Sequence, residues 1–171
     1  MLVIGKAGTA GVTKGVVPIL RDDAVVATLH ASKWKEAATA VVEDQEWVFA
    51  KQHRELTGRR AQDPEDTARM RARQTSAWKG TWGLDLEGTA VEMRPASVLR
   101  GTHRYLHDGR QVALSGSEGT WSRRPTLHAD DALPLRQQVF LLWIELLIMR
   151  RTAAATAGAA AGGAAAAGAA G

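Results

Sequence analysis

Val139-Phe140-Leu141-Leu142-Trp143-Ile144-Glu145-Leu146-Leu147-Ile148-Met149 is apolar at every position but one. A helix lying on a protein surface shows a polar face recurring about every 3.6 residues, and this stretch shows none, so it has to be buried on all sides, in protein or in lipid. Asp130-Asp131 as cap and Pro134 near the first turn are helix-start signals. Arg150-Arg151 follows, where cations meet the negative pole of a helix dipole. The spacing predicts a helix over 134–151. Its apolar part spans roughly 16 Å, against the about 30 Å of a bilayer core. Glu145 near its centre would cost about 2.5–3.5 kcal/mol in lipid if it behaves as Asp does. No transmembrane span is expected, and the helix should instead be enclosed by strands of its own chain.

Upstream, from Val12 to about Leu127, the pattern is short and period-two. Val16 to Leu20 and Ala24 to Leu29 flank Arg21-Asp22-Asp23, which reads as strand, turn, strand. Ala37 to Val42 and Trp47 to His53 form a second pair, with Glu43-Asp44 near the turn. Arg59 to Asp66 is polar, contains Asp63-Pro64 and reads as a loop. Thr67 to Thr75 reads as a strand with Arg69, Arg71 and Arg73 on one face; a helix starting at Asp63-Pro64 is the alternative. Trp78 to Leu86 pairs with Thr89 to Arg94 across Glu87-Gly88, and Val98 to Leu106 pairs with Arg110 to Leu114 across Asp108-Gly109. Asp-Gly between apolar alternations is a strong hairpin signal, because Gly takes the positive φ that a two-residue turn needs. A last pair should surround Trp121 and Leu127. Roughly ten strands can be counted this way, which suggests a sandwich or barrel.

The chain has 171 residues, no cysteine and a net charge of +4. Disulfides, thiolate catalysis and cysteine-type zinc sites are thereby excluded, and a reducing cytoplasm fits. The mild basic excess, mostly Arg, favours anionic contacts such as phospholipid headgroups. Residues 1–11 read as an N-terminal segment whose apolar run is too short for a signal peptide, and 152–171 as a low-complexity tail of Ala, Gly and Thr. Between them, 12–151 forms the folded unit.

The order of many short strands, the Trp78-Lys79-Gly80-Thr81-Trp82 hairpin, the Leu133-Pro134-Leu135 lead-in and an apolar helix ending in Arg-Arg resembles the tubby C-terminal-like superfamily, which includes the tubby proteins, the phospholipid scramblases and the LURP-one-related proteins. Within it, the chain is similar to short actinobacterial members. The resemblance covers Val12 to Arg151 and rests on element order, with no catalytic motif behind it. It implies a closed antiparallel β-barrel of about a dozen strands around a central C-terminal helix. Two departures stand out: the cysteine-rich stretch of the scramblases has no counterpart, and Asp130-Asp131 is the only acidic pair near the helix where they carry a calcium-binding segment. The phosphoinositide-binding pattern of the tubby proteins cannot be placed on residues here.

No nucleophile elbow, phosphate loop or dinucleotide fingerprint occurs, so no catalytic residue, cofactor or metal is assigned. His103 and His107 read as exposed turn histidines. Glu145, a carboxylate on an apolar helix, has to find a partner, an inward Arg or the barrel mouth, or become protonated. Arg69, Arg71 and Arg73, with Arg59 and Arg60 nearby, form the candidate lipid- or anion-binding stripe, or else a solvated strand face. Trp34, Trp47, Trp78, Trp82 and Trp121 are expected to plug the barrel wall, with an exposed pair at a membrane interface as the alternative. Together these features point to a non-enzymatic binding module, cytoplasmic and peripheral on anionic phospholipid headgroups. The alternative is a protein-interaction or scaffold domain with no lipid role. Nucleic acid or a small molecule has only the charge behind it.

Overall fold

Val139, Phe140, Leu141, Leu142, Trp143 and Ile144 are all fully buried. Six consecutive helical residues point in every direction around the axis at about 3.6 residues per turn, so protein surrounds the helix completely. The enclosing element in the computed structural model, which describes residues 1–32, 35–119 and 123–167 (backbone alone from 159), is one closed antiparallel barrel. Its strands are β1 (Leu2–Ile4), β2 (Val17–Arg21), β3 (Ala24–Ala31), β4 (Ala37–Val42), β5 (Gln45–Gln52), β6 (Glu55–Arg60), β7 (Met70–Ser76), β8 (Thr81–Leu86), β9 (Thr89–Ser97), β10 (Thr102–His107), β11 (Arg110–Glu118) and β12 (Arg124–Ala129). Neighbours in sequence are neighbours in the sheet, and β1 closes the ring by pairing with both β12 and β2. The helix α1 (Leu135–Ala167) threads the centre.

The strand alternation sorts side chains as period two requires. In β4, Ala38, Ala40 and Val42 point inward while Thr39 and Val41 face water. Phe49 of β5 meets Phe140 at 5.3 Å and Trp143 at 5.4 Å between ring centroids, forming the aromatic centre of the core. Gly58 of β6 makes room for it: a Cβ there would stand 3.2 Å from the Phe140 ring and 3.0 Å from Met70 Cε. Four hairpins, at Asp22-Asp23, Glu43-Asp44, Glu87-Gly88 and Asp108-Gly109, place both turn residues at positive φ, the two-residue geometry that matches strand twist.

Several expectations are corrected. Leu2–Ile4, expected outside the folded unit, is a barrel strand whose Leu2 and Ile4 are buried. Arg59 and Arg60, expected in a loop, end β6, which pairs with β5 along its whole length. Trp78 and Val98 do not begin strands; each lies in a four-residue turn closed by a left-handed glycine, Gly80 or Gly101. Asp130 does not cap the helix: its carboxylate pairs with Arg110, and Pro134 stands just before the first helical residue. The helix does not stop at Arg151. Ala is the best helix former, and it carries α1 onward to Ala167, with Thr152 to Gly158 exposed. Thr67 to Thr75 contains the expected strand, shortened to start at Met70. Trp34 and Trp121 lie outside the described residues.

Leu147→Asp should abolish folding, because Leu147 is buried and an unpaired charge there costs several kcal/mol against a total stability of about 5–15 kcal/mol. A chain ending at Arg151 should keep the melting temperature of the full chain, since Thr152 to Gly158 are exposed. A fall of many degrees on truncation would contradict this placement of the tail.

Candidate functional site

The up-and-down topology places alternate connections at opposite ends of the barrel. One end is where α1 begins; its connections carry Asp22-Asp23, Glu43-Asp44, Asp63, Glu65-Asp66, Glu87, Asp108 and Asp130-Asp131, with Arg69 as the one Lys or Arg among them. At the other end α1 leaves the barrel. The described connections there carry Lys6, Lys14, Lys35, Arg54, Lys79, Arg100 and Arg123, with Glu36 as their one carboxylate. The barrel is therefore electrically polar along its helix axis, although its net charge is small. Turn chemistry explains part of the acidic end, since Asp tolerates the left-handed conformation that two-residue hairpins demand.

Two neighbouring turns at the basic end share one design. Ser76-Ala77-Trp78-Lys79-Gly80 joins β7 to β8, and Ser97-Val98-Leu99-Arg100-Gly101 joins β9 to β10. In each, the serine Oγ accepts the backbone N–H of the basic residue, at 3.1 Å from Lys79 and 3.3 Å from Arg100. In each, the glycine N–H donates to the carbonyl three residues back, Ala77 or Val98, at 3.3 Å. The glycines have the same φ, 62°. The result is a pair of matched tips that hold apolar side chains in water: Trp78 is 96%, Val98 86% and Leu99 97% exposed. With two strand spacings between them, the tips stand about 10 Å apart. Trp78 is thus no wall plug, whereas Trp47 and Trp82 are buried as expected.

Where the helix leaves the barrel, Arg150 donates to the Ser32 carbonyl at 2.9 Å and Arg151 to Glu36 at 2.6 Å. Glu36 also pairs with Lys51 at 2.8 Å. The Arg151 hydrogen bond, helped by Lys51, outweighs the cost of burial and lowers the Glu36 carboxyl to about 2. Arg151 lies over the Trp82 ring, 5.8 Å from its centroid. The two arginines read as a helix end thus clamp the helix to the barrel rim.

The five candidate arginines are not one free stripe. Arg69 is taken by Asp63 at 2.5 Å, a contact that holds the Asp63 carboxyl below its usual range. Arg71 pairs with Glu55 at 3.3 Å. Arg59 donates to the carbonyls of Arg60, Ala61 and Asp63. Arg60 lies over the Trp47 ring at 5.9 Å, with its Nε buried and without an acceptor among the described residues. Arg73 is the one of the five whose side chain makes no hydrogen bond, ion pair or ring contact among the described residues.

Glu145 finds its partners on β10. The Tyr105 hydroxyl donates to its Oε1 at 2.6 Å, and His103 Nδ1 lies 3.0 Å from Oε2. His103 is therefore not an exposed turn residue; its side chain is only 12% exposed and faces the helix. Burial, with the Glu145 charge beside it, pushes the Tyr105 hydroxyl well above its usual range. Tyr105 is fully buried and Glu145 and His103 nearly so, which places this trio inside the core. Its geometry serves to give a buried carboxylate hydrogen-bond partners. Among the described residues no group of His, Asp and Glu is placed to hold a metal ion, and no helix is long and apolar enough to cross a membrane.

No family model, curated protein or solved structure matches the chain.

Tyr105→Phe should destabilise the fold by about 1–3 kcal/mol, read from the urea midpoint, because it leaves the Glu145 carboxylate short of a donor. Adding Glu145→Leu should recover part of that loss, since removing both partners of a buried polar pair is close to neutral while His103 is left without its acceptor. The Glu36 network sets an acid-side dependence. Its carboxyl is lowered from 4.5 to about 2, so the stability it contributes is present above pH 4.5 and lost as pH falls towards 2. The melting temperature should fall through that window, and Glu36→Gln should make the fall shallower.

Proposed function

We propose that this protein is a non-catalytic binding module that docks peripherally on anionic phospholipid surfaces with the basic end of its barrel. The observation that carries the reading is the pair of matched tips. Large apolar side chains at solvated loop tips are unfavourable unless something covers them. Trp favours the membrane–water interface, where an apolar ring can enter while its polar edge stays wet. Lys79 and Arg100 follow the apolar residues at the same height, where each cation near an anionic leaflet contributes about 1 kcal/mol. The acidic end points away from such a surface. The resemblance to the tubby-like superfamily and the absence of catalytic motifs support the same reading, and a cysteine-free chain suits the cytoplasmic leaflet. The lipid contact thus lies at the turns and not along the Arg59 to Arg73 face.

Co-sedimentation with vesicles tests it. The protein should pellet with phosphatidylglycerol vesicles at low salt, pellet less as salt rises, and ignore phosphatidylcholine vesicles. Trp78→Ser with Leu99→Ser should weaken binding about tenfold or more, since each removes a buried side chain from the interface, while the melting temperature stays put. Failure of the wild-type chain to bind anionic vesicles at low salt would transfer the tips to the alternative, a protein-interaction surface with Trp78 as its anchor.

A further inference from the structure

Beside the tips, the mouth of the barrel at its basic end holds a cavity of about 390 Å³ between β5, β7, β8 and the departing helix. Lys51, His53, Arg54, Arg73 and Arg151 line it, Trp82 contributes an indole, and no carboxylate takes part in the lining. Like charges do not converge in one concavity without a counter-charge, because each raises the cost of the others. Glu36 balances two of them from the flank, through Lys51 and Arg151. Among the described residues the side chains of Arg54 and Arg73 have no hydrogen-bond or ion-pair partner. A second cavity of about 340 Å³ shares His53, Arg54 and Arg73 with the first, so these two guanidinium groups border both; the carboxylate in its lining, Glu55, is engaged by Arg71.

We infer that this mouth is a binding site for a phosphate monoester. Guanidinium forks present paired N–H donors whose spacing matches two oxygens of one phosphate, and two such forks with an ammonium and an imidazole offer more donors than a carboxylate can accept. A monoester carries close to two negative charges and three terminal oxygens, which suits two unmatched guanidinium groups; a diester carries one charge and two. The cavity is of small-ligand size, and Trp82 with Leu56 supplies an apolar wall for the organic part of the ester. The chemistry is shared by a soluble phosphate ester and by a lipid headgroup ending in a monoester. If the protein docks through its tips, the mouth faces the headgroup layer, so the lipid source rests on the reading above; the soluble source does not.

The test has two arms. In solution, calorimetric titration of the full chain with glycerol 3-phosphate should give saturable binding and a raised melting temperature, with nitrate at equal ionic strength giving neither. Arg54→Gln with Arg73→Gln should weaken that binding about tenfold or more, in proportion to the charge-assisted bonds lost, and should not lower the melting temperature of the unliganded protein. On membranes, vesicles bearing phosphatidic acid should be preferred over phosphatidylglycerol vesicles of equal surface charge, and the same double variant should erase that preference alone. Binding of the soluble ester without vesicle binding sustains the site and assigns it a soluble ligand. Absence of ester binding, or an unchanged affinity in the double variant, overturns the inference; tip-dependent binding to both vesicle types alike would then leave the docking reading standing by itself.

Discussion

Enclosing the helix surface from Val139 to Ile144 is the constraint from which the rest of the structure follows. The helix has no polar face to offer water, and a barrel is the one arrangement of strands that can cover it all round while leaving no unpaired sheet edge. Its girth dictates what the strands place inward. Where Phe140 and Trp143 are widest, the wall supplies Gly58 and the alanines of β4; elsewhere Leu29, Leu56, Leu86 and Met93 fill the gap. Closure then depends on β1, only three residues long, which bonds to strands on both sides. The single carboxylate in the apolar run is tolerated because β10 brings Tyr105 and His103 to it, so a charge that would otherwise oppose burial also helps select the helix rotation.

Threading a helix through a barrel also separates its two ends chemically. At the acidic end four of the five strand connections are tight two-residue hairpins, and Arg136 and Gln137 of the helix are tied down by Glu87. At the basic end Arg150 and Arg151 tie the helix to the connection between β3 and β4, while four-residue turns lift apolar side chains clear of the rim. The features with functional meaning, matched apolar tips and a mouth rich in cations, all lie at this second end. A rigid core beneath short turns holds them in fixed relation, which lowers the ordering cost of binding.

The fold was largely legible because its deciding signals are local. An apolar run too short for lipid, and Asp-Gly or Glu-Gly between alternating segments, can be read without knowing what they touch. β6 escaped because Leu56 is its only large apolar residue, with Gly58 standing where a bulky core residue would have marked the strand. The site was less legible, for two physical reasons. Alternation places Arg69, Arg71 and Arg73 on one face, but says nothing of Asp63 and Glu55, which neutralise two of them. Trp78, Val98 and Leu99 look like core residues, since an apolar side chain in a turn carries the same letter as one in a strand. The signal that separates them is the repeated pentad of serine, two apolar residues, a cation and glycine. The partnership of Glu145 with His103 spans 42 residues and has no local sign at all.

The claim that helix and wall form one unit is tested most directly by native-state hydrogen exchange. The amides of Val139 to Ile148 should exchange only through global unfolding, with the same free energy and denaturant dependence as those of β5, β8 and β11. Exchange from the helix through a lower-energy opening that leaves the strands protected would show that the barrel stands without its core, and would contradict the account.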